Sequence, residues 1–312
     1  MFNSNPKGTN NNNNINDMLS FLGGSSLGGA PKKFGFSLDA LSEKKTSKNN
    51  NQSYEHNFPQ KYIFKSFSYQ EDKNLKYRQS MEDIGVTLPE FIPEKKYSLF
   101  GIFDGHGGND VVKYIKNRLP EIIKTNITKN GNSIETCLTS AFNKIDEELK
   151  FYDSEHTGST ATIVLFHDNI IHCANVGDSA AYIIYDTHLT KISTDHKCSD
   201  PKEEQRIISS GGKITKNRVM GQLVLSRCLG DLYCKKYGVI NIPDISSNKL
   251  EENVIYVVVA SDGVWDVVGE NELMKLSKNN KNAEGLCKDL VKLAIDKDTK
   301  DNVSCIVISF DV

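Results

Sequence analysis

Carboxylates in this chain gather where apolar strands should end. Asp104 directly follows the run YSLFGIF, Asp262 follows VIYVVVAS, Asp178 follows IIHCANVG, and Asp301 stands two residues before VSCIVISF. Any one of them alone is an ordinary turn or cap residue, because aspartate favours such positions. Four at strand ends mean more: carboxylates converging on one end of a core must be neutralised by cations or spread into solvent. Glu82 and Asp83 add an adjacent acidic pair beside Arg78 in RQSMED. Hard oxygen ligands with no His or Cys cluster near them select Mg2+ or Mn2+ over zinc or copper. Two such ions about 3.5–4 Å apart can activate a water for in-line attack on phosphorus. The chemistry implied is that of a hydrolase.

The elements that must position these groups are legible in the apolar pattern. YSLFGIF, TATIVLF, IIHCANV, VIYVVVA and VSCIVISF are rich in β-branched and aromatic residues and read as core strands. Little more than His167, Asp168 and Asn169 separates the second from the third, which predicts a hairpin and hence an antiparallel sheet. Ile134, Leu138, Ala141, Ile145 and Leu149 recur at helical spacing, as do Ala283, Leu286, Leu290 and Ala294. Asp200, Pro201 and Glu203 fit an N-cap, a first-turn proline and an N3 carboxylate, so a helix should run from Pro201 to the Gly211–Gly212 pair.

Composition narrows the function classes. The 312 residues carry a net charge of −2, without the clustered basic face expected of a nucleic-acid binder. Seven scattered cysteines with no CxxC pair indicate neither a disulfide framework nor a zinc ribbon, and suggest a reducing compartment. No signal peptide, myristoylation site or membrane-spanning run is read, so a cytoplasmic or nuclear monomer is the expectation. Residues 1–58, with an Asn run followed by Gly- and Ser-rich sequence, read as a disordered tail, and residues 59–312 as the folded domain.

The strings RQSMED, FGIFDGHGG, GSTAT, ANVGDSAA, STDHK, LSRCLGD, SDGVWDV and KDNVSCIVI follow one another in the order found in the metal-dependent (type 2C) protein serine/threonine phosphatases. From about Tyr62 to Val312 the chain resembles that family, and eight strings in order are far more specific than one. The resemblance implies an α+β fold: a central β-sandwich of two mostly antiparallel sheets flanked by helices in α/β/β/α layers. It implies that Asp104 bridges two Mg2+ or Mn2+ ions, that Glu82 and the Gly105 carbonyl complete one site, and that Asp262 with Asp301 complete the other. Asp178 and Asp262 would hold a weaker third ion with support from Asp266, and Asp83 would hydrogen-bond a metal-bound water. The substrates would be phosphoproteins, with no nucleic acid or membrane partner.

Two further roles follow from side-chain chemistry. Arg78 offers a bidentate fork to phosphate oxygens, the alternative being a surface salt bridge. His106, between Gly105 and Gly107, is the candidate general acid, because a serine or threonine alkoxide leaves poorly unless protonated. The chain departs from the family it resembles at Lys76, where a glycine often precedes the arginine, and at Ala180, where an arginine commonly follows GDS. The segment between Gly212 and Leu223 corresponds to a flap, from which Arg218 and Met220 could touch substrate.

Other phosphate chemistries are excluded by spacing. No cysteine has an arginine six positions on, as the phosphocysteine route requires. Asp296 and Asp298 follow a helical pattern rather than a strand, with Lys300 where an aspartyl-phosphate motif has Thr or Val. Ile214 after Gly211, Gly212 and Lys213 rules out a P-loop, so no nucleotide cofactor is implied. The rival readings are a catalytically silent relative serving as a signalling scaffold and a phosphoesterase for another substrate. Intact Glu82, Asp104, His106, Asp262 and Asp301 weigh against the first.

Overall fold

The computed structural model describes residues 63–129 and 131–310. The tail expected at 1–58 lies outside them. In chain order the fold opens with β1 (Ser66–Asp72), β2 (Asp83–Ile92), β3 (Tyr97–His106), α1 (Asp110–Lys129) and α2 (Ile134–Leu149). It continues through β4 (Gly158–Ser159), β5 (Ala161–His167), β6 (Ile170–Val176), β7 (Ala180–Tyr185), β8 (Leu189–Lys191), α3 (Pro201–Ser209), β9 (Ile214–Thr215) and β10 (Arg218–Val219). The remainder is β11 (Leu229–Gly230), α4 (Leu232–Lys235), β12 (Asp244–Lys249), β13 (Val254–Ala260), α5 (Asp262–Trp265), α6 (Glu270–Asn279), α7 (Ala283–Asp296) and β14 (Val303–Ser309).

The strands form two large sheets. One runs β1-β14-β13-β7-β8; the other runs β11-β4-β3-β5-β6-β12, with β2 paired to β3. Their ladders are antiparallel, including the β5–β6 hairpin read from the sequence. Alternation along each strand assigns its faces. Phe100 and Ile102 of β3 meet Val257 and Val259 of β13 and Ile306 and Ile308 of β14 in the core between the sheets. Leu99 and Phe103 face the other way, onto Val112, Ile115 and Leu119 of α1 and Leu138, Phe142 and Ile145 of α2. On the far side Val258 and Val307 pack against Leu286, Leu290 and Ala294 of α7. The result is the α/β/β/α layering.

Two sequence expectations are refined. Helix α1, unmarked in the sequence reading, contains Pro120, which costs about 3 kcal/mol in a helix interior. Buried Val111, Val112, Ile115, Leu119, Ile122, Ile123 and Ile127 outweigh that, at roughly 1.5–3 kcal/mol for each fully buried side chain. Helix α3 starts as expected, with Asp200 accepting from the amides of Lys202 (2.8 Å) and Glu203 (3.2 Å). Glu203, however, makes no capping bond to Asp200. It turns inward to Arg206, Arg227 and the Ser226 hydroxyl, and although burial opposes its charge, these partners hold its carboxyl well below the usual range.

Candidate active site

The inner-face alternation Phe100, Ile102 runs on to Asp104, so the last inward position of β3 is a carboxylate at the end of the sandwich. Asp83 lies directly across from it in the β2–β3 register. Like charges facing each other across a ladder are destabilising, and here both sit at the edge of an apolar core. Burial, then the charges of Asp83, Asp262, Asp301 and Asp178, push the Asp104 carboxyl well above its ordinary value. Asp83 is buried and raised to about 6: burial outweighs the Ser261 and Ser304 hydroxyls, which donate to its Oδ2 at 2.7 and 2.8 Å.

Asp262 begins α5 immediately after β13, and its Oδ1 is buried with no hydrogen-bond partner. Burial, then Asp178, Asp301, Asp266 and Asp83, raise it to about 8. Asp301 precedes β14 and is raised by burial, an effect opposed by Arg78 and by the Asn302 amide at 2.7 Å. Gly105 is closed in from two sides: a Cβ there would lie 2.8 Å from the Glu82 carbonyl and 2.9 Å from Val112 Cβ. Its amide donates to that same carbonyl at 3.2 Å, which ties Glu82 to the end of β3.

Buried asparagines join the two acidic loops. Asn302 Oδ1 accepts from the Glu82 amide at 2.8 Å, while its Nδ2 donates to the carbonyls of Lys73 (2.8 Å) and Ser80 (3.0 Å). Asn74 Nδ2 donates to the carbonyls of Thr299 (2.8 Å) and Asp301 (3.0 Å). Arg78 and Glu82 are thereby held beside Asp301, more than two hundred positions away in the chain.

These groups fit divalent cations of the hard class. An orphaned carboxylate oxygen on Asp262 and aspartates pushed toward protonation by one another describe a place short of positive charge. Among the described residues no three His, Cys, Asp or Glu side chains close into a ready cage.

The titrations make a testable sign. A carboxyl raised by folding costs nothing while protonated, so stability is full below the ordinary value near 4 and is lost as pH climbs through about 6 (Asp83) and about 8 (Asp262). Each group contributes a slope of at most ~1.4 kcal/mol per pH unit. In chelator, the melting midpoint should therefore fall between pH 5 and 8, and Mg2+ or Mn2+ should restore it at pH 8. A flat or rising midpoint in chelator would contradict the mutual repulsion.

The remaining expected residues fall around this centre. The Arg78 guanidinium pairs through one terminal nitrogen with Asp301 and donates from Nε to the Lys300 carbonyl at 3.1 Å. At 45% side-chain exposure this is the surface salt bridge of the alternative reading, placed at the edge of the acidic cluster. Asp178 is buried, and the Lys197 ammonium lies 3.2 Å from its Oδ2 and 3.8 Å from Asp266 Oδ1. A third ion at Asp178 would share it with a cation the fold already supplies. In the flap, β9 and β10 pair across Lys216 and Asn217, and Arg218 donates to the Gln222 carbonyl at 2.6 Å within the flap itself.

His106 closes β3, and its Nε2 lies 2.7 Å from Asp231 Oδ2. Burial lowers its pKa, but Asp231, Glu82 and Asp178 overcome that and leave it raised. Asp231, Lys197, Asn302 and Asn74 escaped the residue-by-residue reading. The first three stand inside quoted strings, LSRCLGD, STDHK and KDNVSCIVI, whereas nothing in the pattern around Asn74 marks it.

The chain is similar to a known family of proteins. The family described as Protein phosphatase 2C matches residues 67–303. A probable protein phosphatase 2C 69 of Arabidopsis thaliana is 35% identical over 251 residues, covering 78% of this chain and 70% of its own. The protein phosphatase 2C homolog 1 of Saccharomyces cerevisiae is 30% identical over 256 residues, covering 76% and 91%. Other relatives are longer: this chain spans 56% of a probable protein phosphatase 2C 71 of Arabidopsis thaliana, at 34% identity over 78% of the present chain. Among solved structures, a C. elegans sex-determining protein superimposes with a TM-score of 0.71 at 25% identity, over 78% of this chain and 64% of that one. The serine-threonine phosphatase 2C of Toxoplasma gondii gives 0.70 at 18% identity, over 84% and 98%, which speaks to the fold alone. With the match running from within β1 to the first residue of β14, across every acidic loop described above, the chain belongs to the protein phosphatase 2C family.

Proposed function

We propose that this protein hydrolyses phosphoserine and phosphothreonine in protein substrates. The two ions would be held by Glu82, Asp104, the Gly105 carbonyl, Asp262 and Asp301. The observation that carries the reading is the meeting of these acids at one end of the sandwich, with a guanidinium and an imidazole beside them. When bound, Mg2+ or Mn2+ supplies a water made nucleophilic at neutral pH and a counter-charge for the phosphoryl oxygens. Asp83, fixed through Oδ2 by two serine hydroxyls, would orient a water beside Asp104. Arg78 binds the substrate phosphate, and His106 protonates the departing serine or threonine oxygen.

The direct test is phosphate release from a phosphothreonine peptide by the purified chain, with Mn2+ and again with excess chelator. Release that depends on Mn2+ is expected. A folded protein that releases none would end this reading, and release undiminished by chelator would end the metal part of it.

Arg78→Ala should raise KM by roughly ten- to a hundredfold, the loss of a charged hydrogen bond of about 1.5–3 kcal/mol. Lysine should restore only part, because a point charge lacks the fork. Asp301 loses a competing partner in this variant, so Mn2+ affinity measured by calorimetry should hold or tighten. An unchanged KM with weakened Mn2+ binding would make Arg78 a structural support instead.

A further inference from the structure

We infer that Asp231 is a positioning residue for the general acid: it fixes the His106 ring through Nε2, so that Nδ1 is the nitrogen that hands its proton to the leaving oxygen. The inference rests on the phosphatase reading and adds to it a second residue and a specified atom.

The fold builds a seat for this carboxylate. Asp231 is 4% exposed, and its backbone is held in the left-handed region at φ 51°, unusual for a residue other than glycine. Its amide donates to the Thr157 carbonyl at 3.0 Å. The preceding Gly230 amide donates to buried Asp146 of α2 at 2.9 Å. Gly158 makes room, since a Cβ there would lie 2.1 Å from Asp231 Oδ2. That same oxygen accepts from His106 Nε2 at 2.7 Å and from the buried Cys228 thiol at 3.1 Å. Among the described residues His106 Nδ1 has no hydrogen-bond partner, and the side chain is 32% exposed.

A carboxylate can only accept here, so Nε2 must carry a hydrogen. In the productive imidazolium the Nδ1 proton is then the transferable one. As the P–O ester bond breaks and the attacking water bonds to phosphorus, the ester oxygen takes the Nδ1 proton and departs as an alcohol. The ring is left as the Nε2–H tautomer, still bound to Asp231. A proton from the attacking water, passed through solvent, restores Nδ1–H, and the sum is ester plus water giving alcohol plus phosphate.

The test uses the full chain and its Asp231→Asn, His106→Ala and double variants. Asparagine tolerates the left-handed backbone and so keeps the turn while removing the charge. With a phosphothreonine peptide, Asp231→Asn should lower kcat by roughly 10–100-fold with KM little changed. With para-nitrophenyl phosphate, whose leaving group needs no proton, the loss should be under about threefold. The double variant should be no slower than His106→Ala alone. Independently, long-range nitrogen NMR of the wild type with Mg2+, at a pH where the ring is neutral, should show His106 as the Nε2–H tautomer.

Equal losses on both substrates, multiplying effects in the double variant, or an Nδ1–H tautomer would each overturn the inference. Failure of the phosphatase reading looks different: the wild type would then release no phosphate from the peptide, while NMR would still report the tautomer.

Discussion

Asp104→Asn should abolish turnover, with a loss of at least ~10³-fold in kcat, while the folded protein becomes more stable in chelator. The first half follows from position. Burial and the charges of Asp83, Asp262, Asp301 and Asp178 all raise Asp104, so it lies near the other proposed ligands. Taking it away would disrupt both proposed ion sites, and metal activation of water and phosphoryl oxygens is worth several kcal/mol at about 1.36 kcal/mol per tenfold in rate. The second half follows from the sign of the same repulsion. An amide in place of a half-buried carboxylate that faces Asp83 removes a cost which the metal-free protein bears above its raised pKa.

For a domain of this size each kcal/mol recovered shifts the midpoint by roughly 2–4 °C. Asp262→Asn should behave in the same way, because its Oδ1 is already without a partner. Calorimetric melting in chelator at pH 8, beside peptide dephosphorylation with saturating Mn2+, checks both halves. Near-normal activity in either variant would sink the two-ion assignment, and a lowered midpoint in chelator would show that these acids stabilise rather than strain the fold.

How far the sequence reaches depends on the distance over which a residue's role is defined. Asp104 and Asp262 were legible because each ends a five- to seven-residue apolar run, so the strand and its terminal carboxylate lie in one window of chain. The hairpin β5–β6 and helices α2 and α7 were legible for the same reason, their period being local. Strand β12, with the sequence DISSNK, carries no apolar alternation and exists because β6 offers it a ladder. Helix α1 went unmarked, and Pro120 in its middle is held in place by the burial around it.

The site's supports were hidden more deeply. Asp231 meets His106 across 125 positions, just after a two-residue strand too short to show an alternation, and the string LSRCLGD that holds it does not name its partner. Asn302 and Asn74 act through side-chain bonds to backbone groups more than two hundred positions distant, and a backbone acceptor leaves no mark in sequence. Glu203 sits at the third helical position as read and Asp200 caps the helix, but the Glu203 carboxylate goes to two arginines, one of them 24 positions on.

His106→Ala should lower kcat on phosphoserine and phosphothreonine peptides by roughly 10²–10⁴-fold, the range typical of a lost general acid. The argument is about the leaving group. A serine or threonine oxygen departs as a strong base unless a proton reaches it in the transition state, whereas nitrophenolate is stable as an anion. The same variant should therefore lose less than about tenfold on para-nitrophenyl phosphate, and that contrast separates proton donation from any general damage to the cleft. Damage is a real alternative here, because His106 is paired in the ladder with Gly158 and follows Gly105, whose carbonyl is a proposed ligand. If the alanine variant merely loosened the end of β3, Mn2+ binding would weaken and both substrates would suffer alike. Steady-state kinetics on the two substrates, with Mn2+ titrated by calorimetry on the same preparation, distinguishes the cases. A large, equal defect would assign His106 to holding the β3 terminus rather than to moving a proton.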